Sequence, residues 1–290
     1  MYLCAITDEI SQDLAHALSV LREFGADRAE LRNVYDTYLV DGDEALIARA
    51  EADLKSAGFS VSCLDTPLFK CDLDENAAPM GATHGATERT HADQQTLLLR
   101  AIDLAKRFDT PYLRIFSFWK RGRLTPEIED RIADALVRPC ELAERAGITL
   151  LLENEHACYL GTAAETARVI NRVGSPALKM VFDPGNSFMA GENPFPAGFD
   201  AARTYLAHLH VKDACVDGAG MPEWCAVGAG EIAYPALFAA LKASGYTGAV
   251  SLETHYKGAD GDGEKATRES LGNLKQLLDQ AGSVGKVEQA

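Results

Sequence analysis

The sequence lacks three things: closely paired cysteines, a basic excess and any long apolar run. Seven cysteines, at 4, 63, 71, 140, 158, 215 and 225, form no C-x-x-C pair, and their odd number cannot be fully paired within one chain. That usage fits a reducing compartment rather than a disulfide framework. No run approaches the roughly 18 apolar residues that a membrane span needs. The N-terminal MYLCAITDEI meets Asp8 and Glu9 at once, with no basic n-region and no long h-region, unlike a secretory leader. Lysine and arginine number 28 against 43 aspartates and glutamates, a formal net charge of −15. That balance opposes a broad footprint for nucleic acid or an anionic membrane, although a small local basic pocket remains compatible with it. The expectation is a soluble cytoplasmic protein.

At 290 residues and 47% hydrophobic composition, the chain can bury the core of one large domain. Short apolar runs begin at Tyr2 (YLCAI), Arg28 (RAEL), Ser60 (SVSCL), Tyr112 (YLRIF), Thr149 (TLLLE), Leu178 (LKMVFD), Ala207 (AHLHV) and Ala249 (AVSLE). Between them lie stretches with helical spacing at 13–25, 44–58, 97–108, 128–147 and 234–245, and a further helix fits 265–280. Several end in glycine, a common helix C-terminal signal.

Strand alternating with helix implies a parallel sheet, because parallel neighbours need a crossover. Eight such units without a linker predict an α/β fold of (β/α)₈ type, a single-domain TIM barrel over 1–281, ahead of an open doubly wound sheet. The weakest unit lies between the sixth and seventh strands, where 193–201 is rich in Pro, Gly and Phe and leaves little room for a helix. Residues 282–290 read as a frayed polar tail. The long segments 65–90 and 213–233 each follow the C-terminal end of a strand, where a barrel places its active site. They are candidate lids.

Four late strands finish with groups able to bind metal: Glu153, Asp183, His208 or His210, and Glu253. A lone carboxylate at a strand end commonly caps the next helix or pairs with a neighbour. Several converging on one rim repel strongly, and a divalent cation makes such a cluster tolerable. Three carboxylates and one imidazole suit Mn²⁺, Mg²⁺, Co²⁺ or Zn²⁺. The two histidines point to the same side of their strand, and His210, nearer its C-terminal end, is the better ligand. His208 is then expected inside the barrel.

Together, ITDEISQDLAHAL, AELRN, TPLFKC, LRIFSFW, ITLLLENE, MVFDPGN, HLHVKDA and GAGEIAYPALFAALKASGYTGAVSLE resemble the sugar phosphate isomerase/epimerase superfamily, the xylose isomerase-like TIM barrels. Each fragment is weak alone, and their order carries the resemblance over nearly the whole chain. It implies one divalent metal held by Glu153, Asp183, His210 and Glu253. It further implies that Glu153 and Glu253 serve as the acid/base pair that removes and returns a proton beside a polarised carbonyl. Where the family often has a histidine three positions after the aspartate, this chain has Asn186, which makes a multi-metal centre less expected.

Lys70, Arg114, Glu155, His156, Asn186, Lys212 and His255 are candidate substrate contacts, each with the alternative of a surface charge or a structural brace. Arg114 alternates with Tyr112 and Phe116, so it is expected to face the interior and pair with Glu153 or an acidic substrate group. Phe116, Phe118 and Trp119 suggest an apolar wall or core packing. Gly185 in DPGN is expected to supply backbone freedom for a sharp turn.

The leading function is a metal-dependent isomerase or epimerase of a ketose, keto-polyol or related hydroxy-carbonyl compound. The alternative is an inosose or dehydroshikimate dehydratase-like lyase using the same enolisation. Cleavage of damaged DNA is opposed by the acidity and by Asn186, and a non-enzymatic binding module is the bland remainder. The partners implied are a small sugar-like substrate, no nucleic acid, no membrane, and a homodimer as a frequent family assembly.

Overall fold

All eight apolar runs fold as strands of one parallel sheet in the computed structural model, which describes residues 1–74, 89–258 and 260–282. The strands are β1 (Tyr2–Ala5), β2 (Arg28–Leu31), β3 (Ser60–Asp65) and β4 (Tyr112–Ile115). They continue as β5 (Thr149–Glu153), β6 (Leu178–Phe182), β7 (Leu206–Val211) and β8 (Ala249–Leu252). Their order is β1-β8-β7-β6-β5-β4-β3-β2. The ends of this order meet at a single parallel bridge between Ile6 and Glu30, so the barrel is nearly closed.

Period-2 alternation divides each strand between two layers. Leu150 and Leu152 join the large core between sheet and helices, whereas Leu151 belongs to a separate interior cluster with Cys63 and Val181. One residue further, Glu153 therefore lies on the interior side, at the mouth.

The expected helices are present as α1 (Leu14–Glu23), α2 (Glu44–Ala57), α3 (Gln94–Arg107) and α4 (Pro126–Ala146). The helix α5 (Ala163–Val173) was not singled out from sequence. Its buried face joins Ala163, Thr166 and Ala167 to Val169 and Ile170, and Thr162 and Glu165 form a capping box that fixes its start. Gly58, Gly147 and Gly174 cap helices at φ 66°, 73° and 64°, conformations that cost a residue with a Cβ.

Between β6 and β7 the crossover shrinks to α6 (Pro184–Met189), a five-residue turn Pro194–Gly198 and α7 (Phe199–Ala202). This agrees with the little room expected there. The chain closes with α8 (Tyr234–Ala243) and α9 (Gly263–Gln280). No helix among the described residues is long and apolar enough to cross a membrane.

Of the two candidate lids, 213–233 contains an antiparallel hairpin of Asp213–Val216 with Pro222–Cys225. In the other, 75–88 lie outside the described residues, as do 283–290 of the predicted tail.

Candidate metal centre

The ends of β5 and β6 are locked together by Asn154, the asparagine inside ENE. Its Oδ1 accepts from Asp183 N at 2.8 Å, and its Nδ2 donates to Asp183 O at 2.8 Å and to Ser187 Oγ at 3.1 Å. Asp183 also caps α6, accepting from Asn186 N at 2.9 Å through Oδ1. One carboxylate oxygen thus serves the helix, and Oδ2 is left facing the mouth.

There Glu153, Asp183, His210 and Glu253 each offer one ligand atom, and those atoms lie within 4.8 Å of one another, all four residues buried. His210 Nδ1 is 3.2 Å from Glu153 Oε1 and 3.2 Å from Glu253 Oε2. Lys212 Nζ is 2.9 Å from Asp183 Oδ2 and from Glu253 Oε2, and 3.8 Å from Glu153 Oε1. Glu153 Oε2, Asp183 Oδ2 and Glu253 Oε2 nonetheless have no aligned hydrogen-bond donor, so the lysine contacts are ionic only. Buried oxygens without donors are costly. A set of three carboxylates and one imidazole with its orphaned oxygens turned inward can hold a hard divalent cation.

His210 is aimed by a residue that the sequence reading did not place. Glu30 of β2 lies across the barrel, with Oε1 3.0 Å from His210 Nε2 and Oε2 2.9 Å from His208 Nε2. Ser251 donates to the same carboxylate. A register shift between Ala29 and Glu30 places Glu30 opposite Cys63, the kind of irregularity that re-aims a side chain. His208 is accordingly buried and braced below the rim, as expected. The available signal was a glutamate between the apolar Ala29 and Leu31 of RAEL.

The remaining predicted residues fall into one connected network around this centre. Asn186 is its junction: Nδ2 donates to Glu153 Oε1 at 3.2 Å, while Oδ1 lies 2.9 Å from His156 Nδ1 and 3.5 Å from Lys212 Nζ. Glu155 lies 3.1 Å from His156 Nδ1 and 3.4 Å from Lys70 Nζ. Arg114 does face the interior, with Nη1 3.4 Å from Glu153 and Nε 3.4 Å from Asp65. His255 Nε2 lies 3.6 Å from Glu253 Oε1.

Arg32 and Asp65 were also missed. Arg32 donates to Glu253 at 2.8 Å, to Asp8 at 3.1 Å and to Glu9 at 2.5 Å. The aromatic segment divides: Phe116 and Trp119 pack with Cys158 beneath Lys70, whose Nζ is 4.2 Å from the Phe116 ring centre, whereas Phe118 belongs to the main core beside Phe69. Gly185 has a different role from the one expected. Its φ is not left-handed, but a Cβ there would come within 2.7 Å of Lys212 Cβ and 3.0 Å of Trp224. Close approach, not backbone freedom, requires glycine.

Electrostatics follow from these contacts. Burial would raise Glu153, but His210 holds it below its ordinary value; Glu253, buried as well, is held well below by Lys212 and His210. Asp183 is raised by burial, which Lys212 only partly offsets. Burial would lower His210 and Lys212, yet the surrounding carboxylates raise both well above their usual values. Asp65 is pushed well up by burial against the pull of Arg114.

Comparison with known proteins shows what the chain is similar to. The chain is 29% identical over 192 residues to the fructoselysine 3-epimerase of Shigella flexneri, a match spanning 62% of this chain and 68% of that one. It is 30% identical over 173 residues to the 2-epi-5-epi-valiolone 7-phosphate 2-epimerase of an Actinoplanes strain, spanning 59% of this chain and 60% of that protein. Among solved structures, a probable 3-DHS dehydratase from Bacillus anthracis superposes with a TM-score of 0.73 at 17% identity, covering 94% and 98% of the two chains. A xylose isomerase-like protein from Mycobacterium smegmatis in complex with magnesium gives 0.67 at 19%, covering 92% and 88%. Residues 18–277 match the family profile described as xylose isomerase-like TIM barrel, and the chain belongs to that family, among relatives that include sugar epimerases.

Proposed function

We propose that the protein is a divalent-metal-dependent isomerase or epimerase of a ketose, keto-polyol or related hydroxy-carbonyl sugar, with Glu153, Asp183, His210 and Glu253 holding Mn²⁺, Mg²⁺, Co²⁺ or Zn²⁺. The observation that carries the reading is the approach of Glu153 and Glu253, from different strands, to the same His210 nitrogen at 3.2 Å each. Two carboxylates from different walls of one small mouth can serve the two faces of a bound carbon. The cation, when bound, supplies Lewis acidity at a substrate carbonyl and its neighbouring hydroxyl.

One of the two glutamates takes the proton beside that carbonyl, and the other delivers a proton to the opposite face. Arg32 and Lys212 favour the ionised form of Glu253, as a base requires. Asn186 orients Glu153 through its amide, and Arg114 braces the same carboxylate from below. Lys70, Glu155, His156, Lys212 and His255 form the polar edge on which substrate hydroxyls are held.

Epimerase relatives support this reading over the lyase alternative. The test is incubation of metal-loaded protein with keto-sugars in deuterated water. Deuterium in a recovered isomer is expected, and Glu153→Gln and Glu253→Gln should each abolish its incorporation. Loss of water with a new enone absorbance would instead assign a dehydratase, and incorporation that survives both substitutions would remove the acid/base pair.

A further inference from the structure

We infer that the substrate is a keto-sugar carrying a second, uncharged sugar ring, and that no phosphate sits in its place. This deepens the reading above and rests on proton transfer through Glu253. A cavity of about 800 Å³ opens beside that residue, lined from the turns after β1, β2 and β8, by Trp224 of the hairpin and by the first turn of α9. Glu253 stands between the two spaces: Oε2 is 3.2 Å from His210 Nδ1, while Oε1 accepts from Arg32, and both Arg32 and His255 line the cavity.

Size is the first argument. Cavities of about 300–1,000 Å³ enclose drug-sized ligands, and none of Glu153, Asp183, His210 and Glu253 lines this one, so a monosaccharide held at the metal centre leaves it open. The lining chemistry is the second. Trp224 and His255 meet edge to face with ring centres 5.1 Å apart, and with Tyr256 they line the cavity, offering aromatic surface to the C–H face of a sugar ring. Asn33, Ser11 and Thr254 supply hydrogen-bonding groups to the hydroxyl edge.

Charge is the third, and it excludes phosphate. The buried cation of the cavity, Arg32, has Nε, Nη1 and Nη2 each committed to a carboxylate, of Asp8, Glu253 and Glu9. Asp36 and Glu264 add further negative charge, against Lys257 at the rim. A phosphate dianion entering there is repelled.

The chain has two tryptophans, so Trp119→Phe leaves Trp224 as the sole reporter of occupancy. Magnesium-loaded Trp119→Phe protein would be titrated with fructose, fructose 6-phosphate and the glucosyl-fructoses linked through O1, O3, O4, O5 or O6. The same sugars would be followed for solvent-deuterium incorporation in the wild type and in Trp224→Ala. At least one glucosyl-fructose is expected to bind and exchange at least tenfold better than fructose, fructose 6-phosphate to do worse than fructose, and Trp224→Ala to erase the advantage of the disaccharide.

Exchange of fructose with no disaccharide preference, or a preference for the phosphate, overturns the second-ring site and leaves enolisation standing. Disaccharide binding at Trp224 without exchange keeps the site and overturns the proton-transfer reading. Neither binding nor exchange overturns both.

Discussion

Glu30 and His210 meet across the barrel at 3.0 Å, Oε1 to Nε2, both fully buried. The carboxylate accepts at Nε2 and so holds a proton there, while Nδ1 points between Glu153 and Glu253, which favour a second proton on it; a bound cation would replace that proton and take the Nδ1 lone pair. Carboxylate braces of this kind are typically worth about 10–100-fold in metal affinity. Glu30→Gln should therefore weaken metal binding by roughly that factor, read by competition with a chelator. In the metal-loaded protein it should also shift the His210 ¹⁵N resonances away from the Nε2–H pattern. Unchanged resonances would show that the tautomer is set elsewhere.

The Glu155–His156 contact at 3.1 Å gives stability a pH window. Lys70 and His156 overcome the burial of Glu155 and depress its pKa well below its usual value, so its contribution is present above the unfolded value of about 4.3 and lost as pH falls through the folded one. Burial would lower His156, but Glu155 raises it, so that contribution is present below about 6.5 and fades as pH rises through the raised value. The difference in unfolding free energy between wild type and Glu155→Gln should thus be largest between these limits, on the order of 2 kcal/mol. Denaturant titrations at several pH values would reveal it, and a pH-independent difference would refute the coupling.

The strands were legible because each is short, apolar and bounded by turn residues, and every barrel strand begins within one residue of its predicted start. The rim carboxylates were legible for a related reason: Glu153, Asp183 and Glu253 end apolar runs, where a charge is conspicuous. What escaped were groups whose role is set by distant pairing. Glu30 acquires its role from two histidines on β7, and Arg32 from three carboxylates on other segments. Trp224 lies in a polar loop with no periodicity, and only the hairpin brings it over Lys212, 5.8 Å from Nζ to the ring centre. The helix α5 was overlooked although its signals were present, a T-x-x-E capping box at Thr162 and Glu165 and the buried pair Val169 and Ile170.

Gly185→Ala tests the close packing between α6 and the segment after β7. The added Cβ would meet Lys212 Cβ at 2.7 Å, Lys212 O at 3.0 Å and the Trp224 ring at 3.0 Å, and backbone cannot yield as a flexible side-chain tip can. Overpacking of this kind costs about 1–3 kcal/mol. A fall in thermal stability and a displaced Trp224 emission are expected together. Full stability with unchanged emission would show that the segment has slack.

Thiol chemistry should separate the cysteines by position. Cys4, Cys63, Cys71, Cys140 and Cys158 are buried, and Cys215 and Cys225 on the hairpin are partly accessible. Burial pushes Cys4, Cys71 and Cys140 up to about 12, which leaves almost no thiolate, the reactive form, at neutral pH. Cys225 is also pushed up to about 12, by partial burial and by Asp213 beside it. A disulfide-exchange reagent at pH 7.5 should accordingly label Cys215 first and Cys225 slowly, with the buried thiols reacting only at the rate of unfolding. A sugar ring stacked on Trp224 would hold down the strand that carries Cys225, so the slow hairpin phase should slow further in the presence of a bound disaccharide. Labelling of the buried cysteines ahead of the hairpin pair, measured by peptide mass, would contradict the order of accessibility that the barrel imposes.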